Sequence, residues 1–429
     1  MNNSQINSIE TIKNNMKNLY ISDILWMLSL YGTAIGAGVL FLPINAGMGG
    51  IIPLIIMAIL AFPMTFYAHQ ALTRFVLSSK NSVGNITEVI EEHFGILAGK
   101  IFTFLYFFAI YPILLMYGVA ITNTVDSFIV HQLGLVSPPR ILLSLVLVIL
   151  MTILVRLGEK IIITIMSILV LPFVIILLLI ASYIMPYWHN ISFKMLSLHP
   201  NNIEDNNSIL MTLWLIIPVT IFSFNHSPII SSFAVAKRKE YGFYADKKCS
   251  HILIMAHLMM VITVMFFVFS CVFSLSTVDL KLAKVQNITI LSYLANHFNI
   301  PIITWFGPII AIIAITKSFL GHYLGAHEGF NSLLIKFLSS QGKIIPSNKL
   351  NRITTLFILI TTWIVSTINP SILGMIETLG GPIIAIILFL LPMYAIQKVP
   401  EMYKYQGKLS NLFIIIIGLL AILQFFIHL

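Results

Sequence analysis

Long stretches without charge constrain this chain before anything else does. Ile141 to Val155 and Ile161 to Met185 are apolar almost throughout. The apolar strands of a soluble α/β core are only about 4–8 residues long. A helix needs about 20 predominantly apolar residues to cross the hydrocarbon core of a bilayer, and in lipid its backbone groups must be satisfied within the segment. Such runs recur along the 429 residues, of which 58% are apolar and 9% charged. Soluble domains carry about a quarter charged residues, so these few charges cannot clothe a water-facing surface. The chain reads as an all-α polytopic membrane protein.

Eleven transmembrane helices are expected, at 23–47, 51–77, 100–125, 140–156, 161–185, 209–234, 251–275, 302–325, 352–369, 372–396 and 411–428. Pro138-Pro139 precedes the fourth, Pro186 ends the fifth, and Asn201 to Asn207 is a polar loop before the sixth. With residues 1–22 as a cytosolic tail, cytosolic segments hold 19 of the 24 Lys and Arg residues and external segments hold 4, Lys317 falling inside a span. That bias predicts a cytosolic N-terminus and, with eleven spans, an external C-terminus. The net charge of +9 is therefore a topology signal, and no nucleic-acid partner is expected. The polar N-terminus lacks the apolar core of a cleavable signal peptide. Cys249 and Cys271 fall in different settings, so neither a disulfide nor a metal site is expected.

Two spans are interrupted by helix-breaking residues. The first carries Gly32-Thr33-Ala34-Ile35-Gly36-Ala37-Gly38, then Pro43; the sixth carries Pro218, then Phe222-Ser223-Phe224-Asn225-His226-Ser227-Pro228. Spans five apart run in opposite directions, and paired breaks in inverted halves point to a transporter's binding site. The halves are then 23–185 and 209–396, with 411–428 appended. Three glycines in seven residues make unwinding cheap, at about 1 kcal/mol each relative to alanine. The freed N–H groups suit a carboxylate; a Gly-xxx-Gly packing face is the plainer reading. Ser223, Asn225, His226 and Ser227 must find partners in an apolar setting. With freed carbonyls they suit an α-ammonium and a small polar side chain, or else a polar helix–helix contact. The candidate substrate residues are Thr33, Ala34, Gly36, Gly38, Phe222, Ser223, Asn225 and His226.

In span eight, Ala311, Ala314, Ser318, Gly321 and Gly325 line one narrow small-residue face, with Lys317 at its edge. A charge at membrane depth is a functional candidate by default. Snorkelling competes, but the cytosolic end is roughly 12–15 Å away at 1.5 Å per residue. Lys317, Ser318 and Glu377 are the candidates for proton coupling, Glu377 equally a solvated carboxylate at the outer mouth. His322 is read as packing. Asp23 and Glu328 are expected to be solvated, and Glu88, Glu91, Glu92 and His93 to form a solvated helical face rather than a metal cluster. No cofactor and no enzymatic activity are expected. Gly99-Lys100 and Gly342-Lys343 are each followed by Ile, so no phosphate-binding loop is present. A channel would need a continuous polar pore, whereas here polar residues gather at one level.

Four segments together resemble the hydroxy/aromatic amino acid permease family. They are Gly32 to Phe41, Phe222 to Ile229 followed by Ala236-Lys237-Arg238, Thr316 to Gly325, and Asn369 to Glu377. The likeness spans nearly the whole chain, and His226 with Gly374-Met375 fits the serine branch better than the threonine branch. The resemblance implies a LeuT-type five-plus-five inverted repeat with one extra helix. It also implies proton symport of L-serine in the lipid of a bacterial inner membrane. A threonine or other small neutral amino acid permease is the alternative. Such a fold brings spans one and eight together at a cation site, placing Lys317-Ser318 beside the first break.

Overall fold

The computed structural model of the protein describes residues 19–426, apart from 82, 83, 85, 156–158, 189–208, 299, 341 and 343–345. Side chains at 37, 159–167 and 340 are not described either. The loop Asn201 to Asn207 and most of the tail 1–22 therefore lie outside the described residues.

The described chain is helical. The first expected span is two helices, α1 (Ile21–Ala34) and α2 (Ala37–Met48), bent by 56°. Then come α3 (Ile51–Ser78) and α4 (Ile86–His131). The latter is kinked where Gly95 takes a left-handed φ of 87°, a conformation glycine adopts without a Cβ penalty. Next are α5 (Arg140–Val155) and α6 (Glu159–Tyr183). The sixth span is again two helices, α7 (Ile209–Ser223) and α8 (Ile230–Tyr241), separated by a short 3-10 turn at Ser227–Ile229. Then follow α9 (Ala245–Ser274), α12 (Pro301–Ser340), α13 (Ser347–Ile368), α14 (Ile372–Lys398) and α15 (Leu409–Phe425).

Among the described residues, seven helical stretches are long and apolar enough to cross a membrane, and the bent pair α1–α2 makes eight. One of the seven, Ile209–Ser274, takes in α7 to α9, where two spans are expected. α5 and α15, where spans four and eleven are expected, are apolar but shorter. The chain is a multi-pass membrane protein by these helices.

Two helices fall where the sequence suggested only a loop, α10 (Thr277–Gln286) and α11 (Ile290–His297). A capping box starts the first: Ser276 Oγ accepts from the Asp279 N–H and the Asp279 carboxylate accepts from the Ser276 N–H, satisfying two orphan donors. Asn287 ends α10 and Asn369 ends α13, both left-handed at φ 55° and 58°. Their side chains interlock. Asn287 Nδ2 donates to Asn369 Oδ1 (3.0 Å) and to the Pro370 carbonyl (2.9 Å). Asn287 Oδ1 accepts from the Ile372 N–H (2.9 Å). Asn123 of α4 donates to the Asn287 carbonyl (2.7 Å) and to Asn369 Oδ1 (3.0 Å).

Asp23 corrects an expectation. It is fully buried rather than solvated. Lys237 Nζ lies 2.8 Å from one carboxylate oxygen and Lys248 Nζ 2.9 Å from the other, and the Tyr241 hydroxyl donates to both. A buried carboxylate is tolerated only with such partners. The cluster ties the start of α1 to α8 and α9. Glu328 and Glu92 are exposed, as expected.

Candidate functional site

The two breaks face each other. α1 stops at Ala34, Ile35 is extended, and Gly36 (φ −147°, ψ −148°) leads into α2. A Cβ at Gly36 would meet Ser318 Oγ and would lie 2.7 Å from Ser318 Cβ and 2.9 Å from the Tyr117 hydroxyl. Ser318 donates to the Ile35 carbonyl exposed by the break (3.2 Å), joining α12 to the first span as the family resemblance implied. A Cβ at Gly38 would lie 2.6 Å from the Phe222 ring and 2.9 Å from Ser223 Cα, so α2 touches the end of α7 backbone to backbone. The other side of the Phe222 ring lies against Gly380 of α14. This part of α14 is a π-helical turn, Ile376–Gly380.

Lys317 sits beside this contact and is 3% exposed. Among the described residues its Nζ has no hydrogen-bond partner. The ammonium stands 5.5 Å from the Phe173 ring centroid and 3.5 Å from the point a Cβ at Gly32 would occupy. Burial of this depth excludes a side chain reaching the headgroups. His322 packs on the Tyr117 ring at 5.1 Å, in keeping with its packing assignment. Glu377 is partly buried and accepts from Asn45 Nδ2 of α2 (2.7 Å), so it is joined to the first span rather than freely solvated.

The polar candidates divide. The hydroxyl of Thr33 donates to the Ser29 carbonyl (2.9 Å) and that of Ser223 to the Val219 carbonyl (2.7 Å). Each offers a ligand lone pairs only. Ala34 is buried beside the break. Asn225 Oδ1 accepts from the Ser227 N–H (3.0 Å), capping the turn that follows α7. His226 is fully buried and belongs to a group that sequence reading missed. Its ring stacks on His69 of α3 at 3.6 Å and 7°, and lies 4.8 Å from His257 of α9. His69 and His257 are isolated histidines in their own helices, and nothing in local sequence marks them as neighbours.

A family model described as the tryptophan/tyrosine permease family matches residues 23–428. The chain is 69% identical over 405 residues to the serine transporter SdaC of Escherichia coli K12, covering 94% of each protein. It is 67% identical over 405 residues to the Shigella flexneri protein of that name, again covering 94% of each. Among solved structures, a manganese transporter of Eremococcus coleocola (mutant H236A) superposes with a TM-score of 0.60 at 13% identity, covering 94% of this chain and 85% of that one. MhsT in complex with L-phenylalanine superposes with a TM-score of 0.55 at 15% identity, covering 95% and 98%. These two likenesses speak for a shared, LeuT-type fold. With the family match running almost end to end, the chain belongs to the tryptophan/tyrosine permease family.

Proposed function

We propose that this permease imports L-serine by proton symport, through alternating access, across a bacterial inner membrane. The observation that carries the reading is the meeting of two broken helices at Gly36, Gly38 and Phe222, with a buried lysine beside them. The 69% identity to a serine transporter supports the substrate. In this reading the chain has eleven spans, with inverted repeats at 23–185 and 209–396 and an appended span at 411–428. The tail 1–22 is cytosolic and the C-terminus periplasmic.

The serine carboxylate is assigned to the backbone N–H groups around Gly36 and Gly38. There α2 begins, and a helix N-terminus favours an anion. The ammonium is assigned to carbonyls at the end of α7 near Phe222 and Ser223, the negative end of that helix. Asn225 or His226 reads the substrate hydroxyl, Asn225 through its amide N–H and His226 through Nε2, while Thr33 and Ser223 contribute as acceptors. Lys317 takes part in proton coupling. Charged, its ammonium replaces a metal cation beside the opened backbone of span one; neutral, it loosens that hold. Ser318 fixes the distance between the two helices, and Glu377 governs access from outside.

The test is labelled-serine uptake into proteoliposomes under imposed proton or sodium gradients, with threonine, cysteine and aromatic competitors. Saturable, concentrative uptake driven by the proton gradient alone is expected. Uptake that requires sodium, or that never saturates, refutes the symport. Threonine is the informative competitor, because one methyl in a pocket is worth only about 1–3 kcal/mol.

A further inference from the structure

Serine binding as assigned above uses His226 but gives His69 and His257 no task. His69, His226 and His257 are each fully buried, and one ring nitrogen of each lies within 4.8 Å of the others. Each Nδ1 faces a backbone carbonyl: Thr65 for His69 (2.8 Å), Phe224 for His226 (3.2 Å) and Leu253 for His257 (2.7 Å). A carbonyl only accepts, so each Nδ1 carries the hydrogen and each Nε2 of a neutral ring presents a lone pair. His69 Nε2 uses its lone pair to accept from the His226 backbone N–H (3.2 Å). Among the described residues, Nε2 of His226 and Nε2 of His257 are buried with no partner. Two orphan acceptors and no donor is a costly arrangement, at about 1–3 kcal/mol for each group.

A metal ion fits poorly. It would need in-plane lone pairs converging at about 2.0–2.1 Å, but the His69 and His226 rings are nearly parallel and 3.6 Å apart, and His69 Nε2 is already occupied. A single proton suits the donor and acceptor pattern better, although burial opposes the added charge. Placed on Nε2 of His226 or His257, it turns one orphan acceptor into a donor for the other through one bridging water. The positive charge would stand just beyond the C-terminal end of α7, where the helix dipole favours a cation. The rings face one another, with Phe66 against His257. The ionised groups on the helices packed around them lie more than a turn away along the chain. These are Arg74 on α3, paired with Asp246 of α9; Lys237 on α8 and Lys248 on α9, paired with Asp23 of α1; Arg238, Lys239 and Glu240 on α8 and Lys247 on α9; and Glu377 and Lys398 on α14.

We propose that His69, His226 and His257 form a proton-binding site, separate from Lys317, that couples protonation to the break in span six. The proton arrives from water and forms one N–H bond at Nε2; release breaks that bond, with no change in electron count. His226 belongs to the segment assigned to serine, so the charge state of the site sets the shape of that segment. His69 positions the site, since its Nε2 holds the His226 backbone. The inference rests on the proton-symport reading for its role, but not for the existence of the site.

Two measurements separate these. The first is a 15N NMR titration of histidine-labelled protein between about pH 8 and 5. It should show one shared protonation at Nε2 of the His226–His257 pair that disappears in His257→Gln. Three rings that stay neutral throughout overturn the proposal, and wild-type protein alone decides this if the variant does not fold. The second is serine-driven proton uptake in proteoliposomes. His257→Gln should reduce it at least about tenfold, a change of about 1.4 kcal/mol, and should alter its pH profile. Unchanged uptake at every pH in His257→Gln overturns the proposal. A wild-type protein that moves serine without protons, yet shows the shared protonation, refutes the symport and leaves the site. Stoichiometric Zn2+ binding that is lost in His257→Gln overturns the proton site in favour of a metal site.

Discussion

Replacing Gly36 by alanine exchanges one hydrogen for a methyl group at the point where α1 has stopped and α2 has not begun. The new Cβ would lie 2.7 Å from Ser318 Cβ and 2.9 Å from the Tyr117 hydroxyl, against an optimum of about 3.5–4.0 Å between carbons. Ser318 cannot swing aside without dropping its hydrogen bond to Ile35, so α12 or the opened backbone must shift by nearly an ångström. Overpacking of this kind costs about 1–3 kcal/mol, or roughly 5–150-fold in an equilibrium constant. If the strain falls on the carboxylate-holding backbone, serine affinity should drop by that factor while the melting temperature moves little. Gly36→Val should abolish binding. Adding Ser318→Gly to Gly36→Ala removes most of the clash and should recover part of the loss, a non-additivity that a double-mutant cycle reads directly. Binding can be measured with labelled serine on purified protein. Serine affinity in Gly36→Ala within about twofold of wild type, with no rescue by the second change, would refute the placement of the substrate at this break.

Three further outcomes follow from the same geometry. Lys317→Met keeps most of the bulk beside Gly32 and removes the charge; it should lose gradient-driven accumulation while serine exchange persists, and wild-type accumulation on a proton gradient would make the lysine structural. Glu377→Gln keeps the contact with Asn45 but not its charge; transport should slow with serine affinity unchanged, and an identical rate at every pH removes Glu377 from the mechanism. Asp23→Asn leaves two buried ammonium groups without their shared carboxylate. Breaking a buried pair costs about 3–5 kcal/mol, and the value should fall at the low end because Glu240 remains 2.6 Å from Lys237. Chemical denaturation would read the loss, and a change below about 1 kcal/mol would show that water already reaches the cluster.

Much of this was legible in the residues because breaking a helix in lipid needs unusual chemistry. Gly32 to Gly38 and Phe222 to Pro228 announce themselves against an apolar background, and Lys317 does so as a lone charge. What stayed hidden depends on distance in space rather than along the chain. Asp23 reads as an end residue until Lys237 and Lys248, more than two hundred positions later, are seen to close over it. His69 and His257 each read as a single packed ring. Thr33 and Ser223 lie beside the breaks, yet their hydroxyl hydrogens return to their own helices, a rotamer choice that composition does not encode. The α10–α11 pair was missed because helices of ten and eight residues are too short to stand out among membrane spans of about 20.

The interlocked asparagines bear on which sequences can inherit this fold. Asn287 meets three demands at once: a left-handed backbone, a side-chain donor toward Asn369 and Pro370, and a side-chain acceptor toward Ile372. Glycine satisfies the first and neither of the others. Aspartate satisfies the first and third, but its charge would confront Asn369 Oδ1 with no hydrogen to offer. Glutamine has the right amide on a stem one carbon too long for a residue disfavoured in that conformation. Asn369 is constrained in the same way by Asn123 and Asn287. Drift at one of these positions is therefore blocked unless its neighbours drift with it. The joint that gathers the ends of α4, α10 and α13 and the start of α14 is a place where variation must arrive in concert.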